Sequence, residues 1–168
     1  MNKVFFLLST LGTGGGERVA SDLSLDLPDG LDLTIVLLYK EVSYPYKGRI
    51  LSLDIPKSRS IINRINAYIK FRNLIKTEKP DYVVSFGKVP NIINLFSGAN
   101  AILRVDNFYS SSCIGFSGWV YKILVKTFFN RAKRIIVISK ESANDLEKNF
   151  GVKEEKIKII YNPLNIGQ

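Results

Sequence analysis

A glycine-rich segment near the N-terminus carries the residue types that most directly suggest ligand chemistry. Gly12, Gly14, Gly15 and Gly16 follow an apolar run and precede a helical pattern that begins near Glu17. The segment fails as a dinucleotide fingerprint, which would need glycine in place of Glu17, and it lacks the Gly-Lys-Ser/Thr of a P-loop. Glycines at such a point let a ligand approach the backbone, and the next helix offers unpaired N–H groups to an anion. We therefore expect an anion-binding loop here, although a tight turn with positive φ would use the same residues.

The composition excludes several kinds of catalysis. The chain of 168 residues has no histidine and one cysteine, Cys113, which removes His-dependent triads, most zinc sites and internal disulfides. We expect no metal and no resident cofactor, and a reducing, cytoplasmic compartment. The net charge of +9 favours an anionic partner: a nucleotide, a lipid headgroup or a nucleic acid.

Apolar runs of strand length alternate with helical patterns, and these elements must position the glycine segment. We predict strands at 3–9, 33–39, 49–53, 82–85, 101–105, 134–138 and 158–161. Predicted helices cover 17–27, a segment from Ile61 to Lys79, a short stretch after Pro90, 119–129 and 140–150, with Ser139 as an N-cap and Gly151 as a C-cap. The second helix carries Ile61, Ile62, Ile65, Tyr68, Ile69 and Arg72 on one face. The order predicts an α/β fold: a Rossmann-like, doubly wound, mainly parallel sheet with helices on both faces.

Ligands of doubly wound sheets bind at the carboxyl ends of the strands, near the point where the strand order reverses. The connections at that edge are residues 9–16, 86–90, 106–118 and 139–142. We expect the binding residues of this chain to lie there.

The predicted helix 119–129 is more apolar than one buried stripe requires, since eight of its eleven residues are apolar or aromatic. It begins at Trp119 and is edged by Lys122, Lys126, Arg131, Lys133 and Arg134. Residues 57–79 add seven basic residues against one acidic residue. This pattern favours contact with an anionic membrane surface, although a helix packed on both sides would show it too. No stretch reaches the ~18 apolar residues of a membrane span.

Two segments of the chain carry recognisable motifs. The first is Gly14-Gly15-Gly16-Glu17-Arg18-Val19, directly after the first predicted strand. The second combines Ile136-Val137-Ile138-Ser139, Gly151-Val152 and Ile159-Ile160-Tyr161-Asn162-Pro163. They resemble, in this order, the segment after the first strand and the ending of the N-terminal domain in the group-1 (family 4) glycosyltransferases of GT-B fold. The two matches stand at roughly the family's separation.

The resemblance implies an enzyme with two Rossmann-like domains, of which this chain is the acceptor-side N-terminal half. The donor would be a nucleotide-diphosphate sugar, transferred with retention, and the acceptor a glycan or glycolipid of the cell envelope. Gly14, Gly15 and Gly16 would approach the donor, and Ser139 would lie at the cleft. Many relatives carry a histidine after the fifth strand. This chain instead has Arg104, Asp106 and Asn107, which we take as acceptor-side residues. Asp106 would orient a hydroxyl of the acceptor. The alternative is that Asp106-Asn107 simply turns the chain, since both residue types favour turns.

The same resemblance sets the domain limits. Residues 1–163 would form the acceptor-side domain and 164–168 the start of an interdomain linker, with the C-terminal donor domain absent. We expect these residues alone to be inactive and the whole enzyme to be cytoplasmic, with a peripheral position on the inner face of the cytoplasmic membrane. A stand-alone module that binds a nucleotide or phosphosugar is the alternative. The basic helices show no nucleic-acid-binding motif, and we expect no nucleic acid partner.

Overall fold

The computed structural model of the chain describes residues 2–58, 60–110 and 115–162, with side chains from residue 118 in the last range. Cys113 and the predicted boundary at 163–168 lie outside the described residues. Within them, seven strands form one sheet in the order β3-β2-β1-β4-β5-β6-β7, and every neighbouring pair is parallel. The strands are β1 (Asn2–Leu8), β2 (Leu31–Leu37), β3 (Arg49–Ser52), β4 (Tyr82–Phe86), β5 (Ala101–Val105), β6 (Arg134–Val137) and β7 (Ile157–Ile159).

Five helices connect these strands. They are α1 (Gly15–Leu25), α2 (Ile61–Glu78), α3 (Lys88–Phe96), α4 (Gly115–Phe128) and α5 (Lys140–Phe150), with short 3-10 turns at Phe129–Arg131 and Glu154–Lys156. The predicted caps of α5 are confirmed: Ser139 Oγ accepts a hydrogen bond from Ser142 N–H, and Gly151 ends the helix in the left-handed region. The helix predicted after Pro90 starts earlier, at Lys88, which places the proline in its first turn.

Helices cover both faces of the sheet, as predicted. Phe6, Leu8 and Ile35 pack against α1 through Ala20 on one face. On the other face, one cluster joins β1 and β2 to α2 and α3, and a second joins β5 and β6 to α4 and α5. The two clusters share a face because Leu7 is in register with Ser85, and Ser85 with Leu103. The Rossmann-like, doubly wound prediction is therefore confirmed.

The buried side of α2 differs from the apolar face that the sequence suggested. Ala67, Phe71 and Ile75 are buried against the sheet. The isoleucine row at positions 61, 62, 65 and 69 is exposed instead, with exposed fractions of 72%, 65%, 52% and 48%. The helix has two apolar stripes: the stripe of Ala67, Phe71 and Ile75 faces the sheet, and the isoleucine row faces outward.

The strand order determines which loops lie near one another at the carboxyl edge of the sheet. β1, β2 and β3 follow one another toward one edge of the sheet, and β4 to β7 run toward the other. The order therefore reverses between β1 and β4. The loops after β1, β4, β5 and β6 meet at the carboxyl edge beside this reversal, where a doubly wound sheet binds its ligands.

Candidate functional site

The glycine loop runs from the carboxyl end of β1 into α1. It is anchored by Leu11, which is fully buried and donates its N–H to the Glu41 carbonyl. Gly14 is the N-cap of α1 and supplies no side-chain hydrogen bond to the first turn. Glu17 lies in that turn, and its Oε1 accepts a hydrogen bond of 2.6 Å from Thr10 Oγ1. The first turn of α1 thus keeps backbone N–H groups directed at the carboxyl edge.

The three glycines of the loop differ in what would oppose a side chain. A Cβ on Gly14 would lie 1.8 Å from Glu17 Oε2, and one on Gly16 would lie 3.0 Å from Asp106 Oδ2. A Cβ on Gly15 would meet no described atom within 4 Å beyond its chain neighbours. The fold of this domain therefore explains the small size of Gly14 and Gly16, whereas Gly15 borders open space.

Arg104 joins three segments at the carboxyl edge. Its side chain is nearly buried, with Nε donating to Asp106 Oδ1 at 2.6 Å and Nη2 donating to Asn162 Oδ1 at 2.6 Å. The guanidinium also lies 5.7 Å from the centre of the Phe86 ring, at the end of β4. Two charge-assisted hydrogen bonds and a ring contact hold the guanidinium in one orientation.

The Asp106 carboxylate is fixed between Arg104 and the glycine loop. One oxygen accepts from the guanidinium, and the other faces Gly16. Its side chain keeps 23% of its surface exposed. The loop after β1 and the loop after β5 therefore contribute to one site, with a partly accessible carboxylate at its centre.

A buried polar network lies beneath Arg104. Asn91, fully buried in α3, donates to the Arg104 carbonyl at 2.8 Å and to the Tyr109 hydroxyl oxygen at 3.1 Å. Ser85 donates to Asn91 Oδ1 at 2.7 Å. Buried hydrogen bonds that are satisfied in this way fix the position of the loop after β5.

The remaining predicted acceptor-side residues lie along the same edge. Asn107 is exposed on the loop after β5, and the half-buried Ser139 caps α5 after β6. The backbone N–H of Glu141 above all, and then the Ser139 hydroxyl, lower the pKa of the Glu141 carboxyl. Burial raises the pKa of Asp145, but hydrogen bonds from Ser110 above all, and from Asn149, outweigh it and leave the pKa below its ordinary value. Ser139 therefore has a capping role that needs no ligand.

The basic and aromatic residues predicted to face a membrane divide into two groups. Trp119 is 58% exposed on α4, and Lys122 and Lys126 are exposed further along it. Arg131, Lys133 and Arg134 are exposed as well, but they lie between the end of α4 and the start of β6, at the edge of the sheet opposite the carboxyl edge. Val120 and Ile123 are also exposed, by 38% and 43%, so the described part of α4 has an outward apolar side and is not packed on both sides.

Several residues that shape the site carry no sign of that role in the sequence. Asn162 belongs to the Asn162-Pro163 motif, but the hydrogen bond it accepts from Arg104 spans 58 positions, and no local pattern reports such a contact. Asn91 and Ser85 stand within α3 and β4, and no motif in the sequence marks either residue. Among the described side chains, no group of three or more His, Cys, Asp or Glu residues could hold a metal ion.

The chain belongs to Glycosyltransferase Family 4, whose model matches residues 13–168. The sheet and helices correspond to the N-terminal half of a GT-B fold, since matching GT-B structures are covered over about half of their length. A curated relative from Campylobacter jejuni is 26% identical over 184 residues, with 100% of this chain and 50% of the relative covered. That relative is an N-acetylgalactosamine-N,N'-diacetylbacillosaminyl-diphospho-undecaprenol 4-alpha-N-acetylgalactosaminyltransferase. The chain thus spans half the length of this relative.

Solved structures show the same fold at low sequence identity. Anabaena HepE, in complex with UDP and glucose, matches 99% of this chain and 46% of its own, with a TM-score of 0.67 and 16% identity. The lipopolysaccharide outer core galactosyltransferase WaaB matches 98% of this chain and 47% of its own, with a TM-score of 0.68 and 14% identity. A UDP-N-acetylglucosamine 2-epimerase from Rickettsia bellii matches 94% and 44%, with a TM-score of 0.69 and 11% identity. The fold alone therefore does not choose between transfer and epimerisation.

Proposed function

We propose that this chain is the acceptor-binding, N-terminal domain of a nucleotide-sugar-dependent glycosyltransferase that acts on a lipid-linked or cell-envelope glycan. The observation that supports the proposal is the position of Asp106 Oδ2, which lies 3.0 Å from where a Cβ on Gly16 would be, so that the glycine loop and the loop after β5 border one site. The family membership supports sugar transfer. The relative's diphospho-undecaprenol substrate supports a lipid-linked acceptor.

In this proposal Asp106 orients the acceptor hydroxyl. The ion pair with Arg104 fixes the carboxylate, and its partly exposed side chain can accept a hydrogen bond from a sugar hydroxyl. Arg104 positions Asp106, and Asn107 and Ser139 contribute polar groups further along the edge. The acceptor oxygen is thereby held for bond formation with the donor's anomeric carbon as the nucleoside diphosphate departs, and retention requires that it approach on the face that this group leaves.

The glycine loop faces the donor. The open space beside Gly15 lets the diphosphate of a nucleotide sugar approach the backbone N–H groups at the start of α1. The Glu17 carboxylate is turned toward Thr10 and lies over Gly14, so the anion would approach on the side of Gly15 and Gly16. The bound UDP of HepE supports a nucleotide-sugar donor, and retention of the anomeric configuration is the outcome that the family implies.

A second domain must supply the remaining donor contacts. We propose that residues 1–163 form the acceptor-side domain and that residues 164–168 begin the linker to the second domain. The acceptor-side domain alone would transfer no sugar. The coverage of half of each matching chain supports this division. Both domains would be needed to enclose the nucleotide sugar and exclude water from it.

A peripheral position on the inner face of the cytoplasmic membrane follows from a lipid-linked acceptor. Within the described residues, none of the helices is both long and apolar enough to cross a bilayer. The exposed Trp119, Lys122 and Lys126 of α4 suit contact with anionic headgroups. The enzyme would then reach its acceptor from the water side.

The test uses the full-length protein and membranes from its source cell. Radiolabelled UDP-sugars are supplied, and label is measured in the organic-solvent extract and in the aqueous phase. We expect label in the organic extract, and a decrease of at least tenfold in kcat/KM for Asp106→Asn. Asp32→Asn, which changes an exposed carboxylate in β2 far from the carboxyl edge, should behave as wild type.

Two results would count against the proposal. Label found solely in water-soluble products would show that the acceptor is not a lipid. Wild-type kinetics for Asp106→Asn would remove the proposed role of that carboxylate.

A further inference from the structure

A large apolar groove lies between α2, α3 and α4. Its volume is about 800 Å³, within the usual range of roughly 300–1,000 Å³ for small-molecule sites. Its apolar walls come from all three helices and include Ile61, Ile65, Val89, Ile92, Val120 and Leu124. The groove is distinct from the cluster around Asp106.

The walls of the groove expose large apolar side chains to solvent. Ile61 and Ile65 are 72% and 52% exposed, and Val120 is 38% exposed on the facing helix. Removing such apolar surface from water is favourable in proportion to the area buried. An apolar occupant would therefore gain substantially from entering this groove.

The charged residues that line the groove are both cationic. Arg64 of α2 and Lys88 of α3 are both lining residues, and no acidic residue lines it within the described part of the chain. The described residues of α2, α3 and α4 include one acidic residue, Glu78. It lies at the far end of α2 and forms ion pairs with Lys3 and Arg49. The groove thus suits an apolar chain that carries a negative group.

One end of the groove lies beside the candidate functional site around Asp106. α3 begins with Lys88 directly after β4, and α2 begins with Ile61, so both helices start at the carboxyl edge. Lys88 Nζ lies 5.9 Å from the centre of the Tyr109 ring. Tyr109 accepts a hydrogen bond from Asn91, which also binds the Arg104 carbonyl. A headgroup at Lys88 would therefore lie next to the loop that carries Asp106.

We propose that this groove binds the hydrocarbon chain of the lipid-linked acceptor, with its phosphate group at Lys88 and Arg64. The inference rests on the proposed function and adds the site of the lipid. The chain would enter along the isoleucine row of α2 and the facing residues of α4. The glycan attached to the phosphate would extend toward Asp106 at the carboxyl edge.

The test measures equilibrium binding of prenyl phosphates to the full-length protein in detergent solution. The probes are geranyl phosphate, farnesyl phosphate and undecaprenyl phosphate, together with farnesol and inorganic phosphate. For wild type, affinity should rise with chain length until the groove is filled, and farnesol should bind more weakly than farnesyl phosphate. Vesicles of phosphatidylglycerol serve as the comparison for general membrane binding.

Two exposed isoleucines of α2 provide matched variants. Ile65 lines the groove, whereas Ile62 is more exposed and is not among the lining residues. Ile65→Glu should raise the Kd for farnesyl phosphate at least tenfold and abolish its dependence on chain length, while Ile62→Glu changes neither. Lys88→Met should bring the affinities for farnesol and farnesyl phosphate close together. Circular dichroism and thermal unfolding establish that each variant is folded.

The outcomes separate this inference from the proposed function. Equal losses for Ile65→Glu and Ile62→Glu, or losses confined to vesicle binding, would show a general membrane surface and overturn the groove. Sugar transfer to a lipid acceptor with normal prenyl phosphate binding by Ile65→Glu would also overturn it while leaving the proposed function intact. Groove-dependent binding without any sugar transfer would support the lipid site and count against the transferase activity.

Discussion

Replacing Gly15 with valine separates the ligand-binding role of the glycine loop from its structural role. Gly15 is the first residue of α1, its φ is not positive, and no described atom beyond its neighbours lies within 4 Å of an added Cβ. Glycine is about 1 kcal/mol less favourable than alanine in a helix, and valine about 0.6 kcal/mol. The exchange should therefore change the free energy of unfolding by less than about 0.5 kcal/mol and the Tm by less than about 2 °C.

The same substitution should reduce sugar transfer strongly. The valine side chain would occupy the open space through which the donor phosphates reach the backbone N–H groups of α1. Losing one hydrogen bond to a charged group costs about 1.5–3 kcal/mol, which corresponds to a decrease of about 10- to 150-fold in kcat/KM. Gly15→Ala, with one methyl group, should fall between wild type and Gly15→Val.

The assay combines thermal unfolding with steady-state kinetics of the full-length enzyme at varied donor concentration. Wild-type stability together with wild-type turnover for Gly15→Val would refute the close approach of the donor. A stability loss above about 2 kcal/mol would refute the geometric argument instead, because it would show that the space beside Gly15 is not open.

Two further substitutions test local interactions. Gly14→Ala should lower the free energy of unfolding by about 1 kcal/mol, since the new methyl group displaces the Glu17 carboxylate from its hydrogen bond with Thr10; urea denaturation measures the loss, and an unchanged midpoint would contradict it. Asp145→Asn should be less stable than wild type near neutral pH, because the lowered pKa of Asp145 means that folding favours its ionised form. That advantage is fully present above the ordinary aspartate pKa of about 3.9 and disappears as the pH falls through the lower pKa of the folded state. The unfolding free energies of the two proteins should therefore converge as the pH is lowered below that ordinary value, and a gap independent of pH would disprove the linkage.

The sequence was sufficient to predict the fold because its signals are local. Each apolar run of strand length became a strand within a few residues of its predicted limits, as for 82–85 against Tyr82–Phe86. Alternation with helical patterns then left a parallel, doubly wound sheet as the expected arrangement. The outward isoleucines of α2 were not predicted, because periodicity shows that a helix has an apolar face and does not show which neighbour covers it.

The candidate site was predicted in part. The loops named from the rule that ligands bind at the carboxyl edge do lie at that edge, and Arg104 and Asp106 form an ion pair. Asp106 lies close to Gly16, and Arg104 donates a hydrogen bond to Asn162, although both pairs are far apart in the chain. Such contacts depend on how the loops pack above the sheet, which no spacing along the sequence reports.

Arg104 allows the packing of those loops to be tested directly. Its guanidinium satisfies Asp106 and Asn162 at once, through two nitrogens at 2.6 Å from their acceptors. Lysine keeps the charge but has one nitrogen on a flexible stem, so it cannot reproduce this fork. Arg104→Lys should therefore cost about 1.5–3 kcal/mol of stability and should lower kcat by releasing Asp106, measured by urea denaturation and steady-state kinetics. Asn162→Ala should cost less stability than Arg104→Lys, because Asn162 is exposed and water can replace its oxygen.

Equal stability of Arg104→Lys and wild type would show that the guanidinium does not hold the site together. A stable but inactive Arg104→Lys would instead place Arg104 in contact with the substrate.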